Sequence, residues 1–313
     1  METKNKKRVL FVGMPDMALI CLSKLLSDGH NIVGVVPPHK SDQTYDLMCN
    51  FARSLKLPVI SYENKLDEMD FLLKIRQLNA DIAVVCSYGK KFPPEFLLSV
   101  KDGFVNCHPS LLPEYRGANP YSHVIINGET HTGITLHFMD ENFDTGNIIA
   151  QKKVEIEKNE TMGTLFNRLN YECAEFVSAF LSKYETVDEV ISYAQPEGEF
   201  KKAYAISTQN MKSFLNWDKD AQYLERFVRA LNPFISATTN FRGVFLKVHS
   251  AYATNKKVKH EPGTICSAKD TLDVATGNGV LHIKSLQFGS YMIADAKDFI
   301  EVFKPQVGEK LGR

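Results

Sequence analysis

Residues 8–36 read RVLFVGMPDMALICLSKLLSDGHNIVGVV, and this stretch decides the fold. Arg8 to Val12 is a nearly unbroken apolar run, which predicts a strand buried on both faces. Met17 to Asp28 carries apolar residues at helical spacing and stops at Gly29, which predicts a helix. Ile32 to Val36 returns to a strand. The alternation continues through helix Tyr45 to Leu55, strand Val59-Ile60, helix Glu68 to Leu78 and strand Ile82 to Cys86. Apolar strands separated by helices predict an α/β class with a Rossmann-like, doubly wound, mostly parallel sheet. Such sheets take ligands at the carboxyl ends of their strands. Gly13 follows the first strand without a GxGxxG pattern, so a tight turn is expected there rather than a dinucleotide site.

Further along, Leu165, Leu169, Ala174, Val177, Phe180 and Leu181 repeat at helical spacing and close a first domain, residues 1–183. Residues 184–210 are polar and irregular, with Gln195-Pro196-Glu197-Gly198 as a turn, and read as a linker. Residues 211–313 form the second domain. One helix, Ala221 to Leu231, is stopped by Asn232-Pro233. Five short strands follow: Ala237 to Phe241, Val244 to Ala251, Gly263 to Cys266, Leu272 to Ala275 and Val280 to Leu286. With turn signals between them, they predict a small antiparallel barrel.

Composition narrows the class. The 313 residues include 44% hydrophobic and 24% charged side chains, enough apolar surface to exclude intrinsic disorder. No window reaches the ~18 consecutive apolar residues that span a bilayer, so no membrane association is expected. The 37 Lys+Arg balance 37 Asp+Glu, which excludes a uniformly basic nucleic-acid binder. Met211 to Arg313 nevertheless carries 15 Lys+Arg against 10 Asp+Glu, a net of +5, and leaves −5 on the remainder. Lys247, Lys256, Lys257 and Lys259 are its densest cluster, which serves equally as a set of phosphate contacts or as a solvated loop. Six scattered cysteines without a CxxC pair read as reduced thiols rather than disulfides or a zinc site. Met1 to Arg8 runs into an apolar stretch too short for a signal-peptide core, so a cytoplasmic protein is expected.

The chemistry concentrates in residues 103–146, GFVNCHPSLLPEYRGANPYSHVIINGETHTGITLHFMDENFDTG. In a strand Phe104 to His108, alternation puts Asn106 and His108 on one face and Cys107 on the other. An amide beside an imidazole at a strand end can serve as oxyanion donor and acid/base. A second strand, Gly133 to Met139, leads into the acidic loop Asp140 to Gly146, and an Asp there could orient His108. The same spacing also fits a hydrogen-bonded structural histidine and a solvated acidic turn.

HPSLLPEYRG with Asn106 two residues upstream, and DENFDTG some thirty residues later, resembles the signature of the 10-formyltetrahydrofolate-dependent formyltransferases. The resemblance implies catalytic roles for Asn106, His108 and Asp144. It also implies a folate pocket formed by Ser87, Tyr88, Gly89, Ser110, Leu111, Leu112, Pro113, Asp140, Glu141, Asn142 and Phe143. It implies 10-formyltetrahydrofolate as co-substrate and no metal. FVRALNPFISA resembles the start of the C-terminal domain of the family's tRNA-acting members, so an OB-like barrel is implied there. Across nearly its whole length the chain is most similar to those members, including Ala118 after the YRG, and methionyl-tRNA is the implied acceptor, with a monomer expected. The connection Val35 to Asp42 is short, as in the sugar-acting members, and a nucleotide-linked amino sugar is the alternative acceptor.

Overall fold

The computed structural model describes residues 6–62, 68–207, 209, 211–290 and 293–312. Met1 to Asn5 of the polar N-terminus, and Thr208 and Asn210 of the expected linker, lie outside the described residues. The chain forms two compact units. One comprises Met1–Ala118, Thr132–Glu155 and Asn167–Ala203; the other comprises Asn119–His131, Ile156–Phe166 and Tyr204–Arg313.

The elements run β1 (Arg8–Gly13), α1 (Pro15–Ser27), β2 (Asn31–Val36), α2 (Tyr45–Ser54), α3 (Glu68–Gln77), β3 (Ile82–Cys86), α4 (Pro94–Leu97), β4 (Phe104–His108) and β5 (Arg116–Gly117). They continue with α5 (Pro120–Ile126), β6 (His131–Phe138), β7 (Ile148–Glu155), α6 (Met162–Lys183) and β8 (Lys202–Ala203). The last group is α7 (Ala221–Leu231), β9 (Ala237–Phe241), β10 (Val244–Thr254), β11 (Ile265–Ala268), β12 (Leu272–Ala275), β13 (Val280–Phe288), β14 (Ala294–Asp295) and α8 (Ala296–Phe303).

The first unit is built on a six-stranded sheet ordered β2-β1-β3-β4-β6-β7. β2, β1, β3 and β4 are parallel, as their apolar character requires, and β6 is antiparallel to β4. Val59 contributes only a single parallel bridge to Val35 rather than a strand. Gly13 is not at a turn: it ends β1, with no positive φ, and a Cβ there would lie 2.4 Å from the Cys86 carbonyl oxygen. Close backbone approach between β1 and β3, not loop geometry, requires glycine at that position. One apolar layer on the sheet includes Leu10, Val12, Ala83 and Val85, with Phe92, Phe96 and Phe104 packed edge-to-face at 4.6–5.4 Å. Such ring pairs each contribute roughly 0.5–1.5 kcal/mol beyond area burial. This cluster fixes β4, whose carboxyl end carries Asn106 and His108.

The segment 184–203 is not free of the first unit. Tyr193 bridges Ile148, and β8 pairs in parallel with β5 through Arg116–Lys202 and Gly117–Ala203.

In the second unit α7 starts at Asp220, whose carboxylate caps the Tyr223 N–H at 2.6 Å, and buries Leu224, Phe227, Val228 and Leu231. The antiparallel sheet is ordered β11-β12-β13-β10-β9, with β14 beside β13. Its two edges are joined by the chain's last residues. Gly312 exchanges both backbone hydrogen bonds with Asn240 of β9, and Leu311 and Glu309 bond Gly263 and Ile265 at the β11 edge. A strand edge left open would expose unpaired N–H and C=O groups, and this short segment covers both. The strand pattern gave no warning of α8, whose Phe299 packs against Phe241, Phe288 and Phe303. Among the described residues no helix is long and apolar enough to cross a membrane.

Candidate active site

The antiparallel pairing of β4 with β6 assembles the site. Asn106 stands opposite His137, and His108 opposite Thr135, so all four project from one face of the sheet. His137 Nδ1 lies 2.8 Å from the Phe138 carbonyl and donates to it, which leaves Nε2 to accept from the Asn106 amide at 3.0 Å. The same amide nitrogen lies 3.4 Å from Asp144 Oδ1. His108 Nε2 donates to the Tyr115 carbonyl at 3.0 Å, and its Nδ1 is 3.5 Å from Asp144 Oδ1. Three residues expected to act together therefore do meet, and His137 joins them. Its signal was the register between two strands, which composition and local spacing do not carry.

Electrostatics separate the two titrating partners. Burial pushes the His108 imidazolium down from its ordinary 6.5, against the opposing pull of Asp144 and the Tyr115 carbonyl. Burial also disfavours the Asp144 carboxylate, but His108, His137 and the Gly117 N–H outweigh it and hold the carboxyl well below the usual range. The result is an ionised Asp144 facing a neutral, 5% exposed His108 with an acceptor at each ring nitrogen. One N–H serves two acceptors, so a second proton on the ring finds a partner already in place.

Loop geometry makes this possible. Tyr115 (φ +62°) and Asp144 (φ +58°) both occupy the left-handed region, which costs of order 1–3 kcal/mol each and turns the carbonyl and the carboxylate toward His108. Gly117 (φ +106°) donates its N–H to Asp144 Oδ2 at 2.9 Å, and a Cβ there would meet the Ala203 carbonyl at 2.4 Å. Gln195, expected as part of a linker turn, instead donates to the Asp144 and Gly146 carbonyls at 2.9 Å and accepts from Arg116 Nε. It braces the acidic loop from outside. Gly117→Ala is expected to push β5 off β8 and to lower turnover at least about tenfold through misplacement of Asp144, with a lowered melting temperature. Steady-state kinetics and thermal unfolding of the variant check this.

The residues expected to line a pocket fall into three groups. Ser110 and Leu112 are buried and internally satisfied: Ser110 Oγ donates to the Glu114 carbonyl, while Thr135 and Gln151 hold the Leu112 N–H and C=O. Leu111 and Pro113 are half-buried, and Leu111 packs where a side chain on Gly133 would stand. Ser87 and Tyr88 are half-buried and Gly89 is exposed, at the carboxyl end of β3. Tyr88 packs on Phe92, and burial raises its phenol to about 12. Asp140 organises the acidic loop, accepting from the Asn142 N–H and the Thr145 hydroxyl, whereas Glu141, Asn142 and Phe143 are exposed. Lys91 links the second and third groups, donating to Asn142 Oδ1 at 3.1 Å with its ammonium over the Phe143 ring. Among the described residues no group of three His, Cys, Asp or Glu side chains is arranged to hold a metal ion.

Comparison with known proteins places this geometry. The formyl transferase profile matches residues 7–180, and the formyl transferase C-terminal domain profile matches residues 208–304. The chain is 34% identical over 318 aligned residues to a Bacillus mycoides protein named methionyl-tRNA formyltransferase, covering 97% of this chain and 98% of that one. A Clostridioides difficile protein of the same name is 33% identical over 287 residues, covering 90% and 92%. Among solved structures, an N-formyltransferase from Helicobacter canadensis in complex with folinic acid and dTDP-3-aminofucose superposes with a TM-score of 0.66 at 19% identity, covering 89% and 98%. That likeness concerns the fold.

Proposed function

We propose, on the premise that this chain belongs to the formyl transferase family, that it transfers a formyl group from 10-formyltetrahydrofolate to the amino group of methionyl-tRNA. The observation that carries the reading is the meeting of Asn106, His108 and Asp144 in a chain alignable end to end with proteins of that name.

The acceptor nitrogen attacks the formyl carbon, a C–N bond forms, and the carbonyl oxygen becomes an oxyanion. Asn106 is the donor for that oxygen. Its 3.4 Å contact to Asp144 is the weaker of its two and yields to the ligand, while His137 keeps the amide oriented. One such donor lowers the barrier by roughly 3 kcal/mol. His108 takes the proton lost by the amine; Nδ1, which carries the lone pair of the neutral ring 3.5 Å from Asp144 Oδ1, is the nitrogen free to exchange it. The imidazolium so formed lies between Asp144 and the Tyr115 carbonyl. It returns the proton to the folate nitrogen as that C–N bond breaks. Folate binding is assigned to the edges around Ser87–Gly89, Leu111–Pro113 and Asp140–Phe143, with Ser110 and Leu112 shaping the loop from within.

A cytoplasmic, reducing compartment accords with this reading: all six cysteines are free, and five of them are buried. A nucleotide-linked amino sugar is the second reading, favoured by the short connection between β2 and α2, residues 37–44. Incubation with 10-formyltetrahydrofolate and each acceptor separates the two. Formylation of methionyl-tRNA is expected, and formylation of the sugar alone would overturn the proposal.

A further inference from the structure

The outer face of the C-terminal sheet carries a row of polar side chains that the chemistry above does not use. Ser267, Asp273, His282 and Tyr252 are register partners across β11, β12, β13 and β10, so they share one face. Their sheet neighbours Leu272, Val274, Leu281 and Ile283 are fully buried on the other face. His282 is locked in place. Its Nδ1 lies 2.8 Å from Asp273 Oδ1, and its Nε2 lies 2.9 Å from the Thr254 hydroxyl. Tyr252 stacks on this imidazole with ring centroids 4.5 Å apart and planes 6° from parallel. It is nevertheless 44% exposed, because β9 pairs with β10 only as far as Val248 and covers nothing beyond. A rigid aromatic ring is thus presented to solvent with one face already supported.

A cavity of about 150 Å³ opens beside this row, lined by Lys256, Lys259, His260, Cys266 and Ser267 as well as by Asp273 and His282. The carboxylates nearby are already taken. Asp273 accepts from His282 and the Thr271 hydroxyl, and Glu261 pairs with Lys310. Among the described residues no ion pair joins Lys256 or Lys259. An exposed aromatic face next to unpaired cations matches a base and its phosphate, because every base has a π-face and every nucleotide a negative charge.

We propose that this face seats one unpaired nucleotide of an RNA chain, its base stacked on Tyr252 and its phosphate held by Lys256, Lys259 and His260. The inference rests on the RNA-acceptor reading given above. A stacked base typically contributes enough that its loss weakens binding about tenfold or more. Each single-strand phosphate contact contributes about 0.7 to the salt slope of binding.

The full-length chain is titrated with fluorescently labelled methionyl-tRNA across a salt series, and formylation kinetics are measured in parallel. Tyr252→Leu is expected to raise Kd and KM about tenfold with kcat and salt slope unchanged, and Tyr252→Phe to bind like the parent. Lys256→Ala/Lys259→Ala is expected to weaken binding and to lower the slope by about 0.7, the share of the one phosphate they hold together. Parental Kd in both Tyr252→Leu and the double lysine variant, with methionyl-tRNA still formylated, would overturn this inference alone. Equal losses in Tyr252→Phe and Tyr252→Leu would overturn the stacking. Tight binding of free AMP at the site, with tRNA affinity untouched by Tyr252→Leu, would assign the seat to a free nucleotide and also overturn it. Failure of the parent to bind or formylate methionyl-tRNA would instead overturn the acceptor reading on which the inference stands.

Discussion

Replacing His108 by alanine is expected to lower the rate of formyl transfer by about 10³-fold or more. A positioned acid/base contributes roughly 10²–10⁴ to such reactions, and among the described residues the other imidazole beside the Asp144 carboxylate is His137, whose Nδ1 is committed to the Phe138 carbonyl. The fold should survive. The side chain is buried but makes one backbone hydrogen bond, to Tyr115, and losing that partner costs about 1–3 kcal/mol. Single-turnover kinetics with methionyl-tRNA, alongside thermal unfolding, test the point; turnover within tenfold of the parent would remove His108 from the mechanism. The parent's pH profile carries the same signature. His108 must be neutral to accept a proton, and burial lowers its pKa. The acid limb of kcat/KM is therefore expected below 6.5, with activity lost as pH falls through the depressed value. Stability moves in the same direction. Between the depressed pKa and 6.5 the unfolded chain binds more protons at this site, so the contribution of His108 to stability improves as pH rises through that window.

Asp144→Asn is the second large effect, a loss of about 10³–10⁴-fold by comparison with other carboxylates that stabilise a catalytic imidazolium. The amide can still accept from the Gly117 N–H through its oxygen. Its NH₂ must then face both His108 Nδ1 and the Asn106 amide, where the carboxylate had presented an acceptor to each. Against Asn106 two donors oppose one another, and the developing imidazolium loses its counter-charge. The acid limb should move to still lower pH, since the one charge that favours protonated His108 is gone. A variant with its acid limb unmoved would show that Asp144 does not act through His108. The carboxyl itself is held well below its ordinary 3.8, so its contribution to stability is present above that value in the parent and is lost as pH falls toward the depressed pKa.

The placement of Asn106 beside His108 was legible in the sequence because the two sit two residues apart on one strand, whereas their candidate catalytic role with Asp144 came from the resemblance of HPSLLPEYRG and DENFDTG to the formyltransferase signature. Alternation alone puts Asn106 and His108 on the same face, and the aromatic cluster around Phe104 only anchors what the pattern already specified. The alternating order of β1, α1 and β2 likewise follows from local hydrophobic periodicity, and the sheet direction from strands apolar on both faces. Elements that depend on nearest neighbours in the chain are written there. Gln195 and Arg116 were not legible in their roles, because 79 residues separate an amide and a guanidinium that meet in space. A turn-forming Gln-Pro-Glu-Gly looks the same whether it floats as a linker or clamps an active-site loop. The two-residue pairing of β5 with β8, which brings the Gly117 N–H to Asp144, is too short to leave a strand pattern.

Local sequence thus determined the alternating elements from β1 to β3, their order, and the identity of the polar residues at the end of β4. Only the tertiary structure decided how those residues are charged and held. Strand register placed His137 opposite Asn106, and the Tyr115 and Asp144 backbones were turned into left-handed conformations that no neighbour in sequence demands. At the other end of the chain, register across four strands set Tyr252 on His282. Periodicity is a property of adjacent residues. Proton position and desolvation are properties of the atoms that fold to within a few ångströms, wherever they lie in the chain.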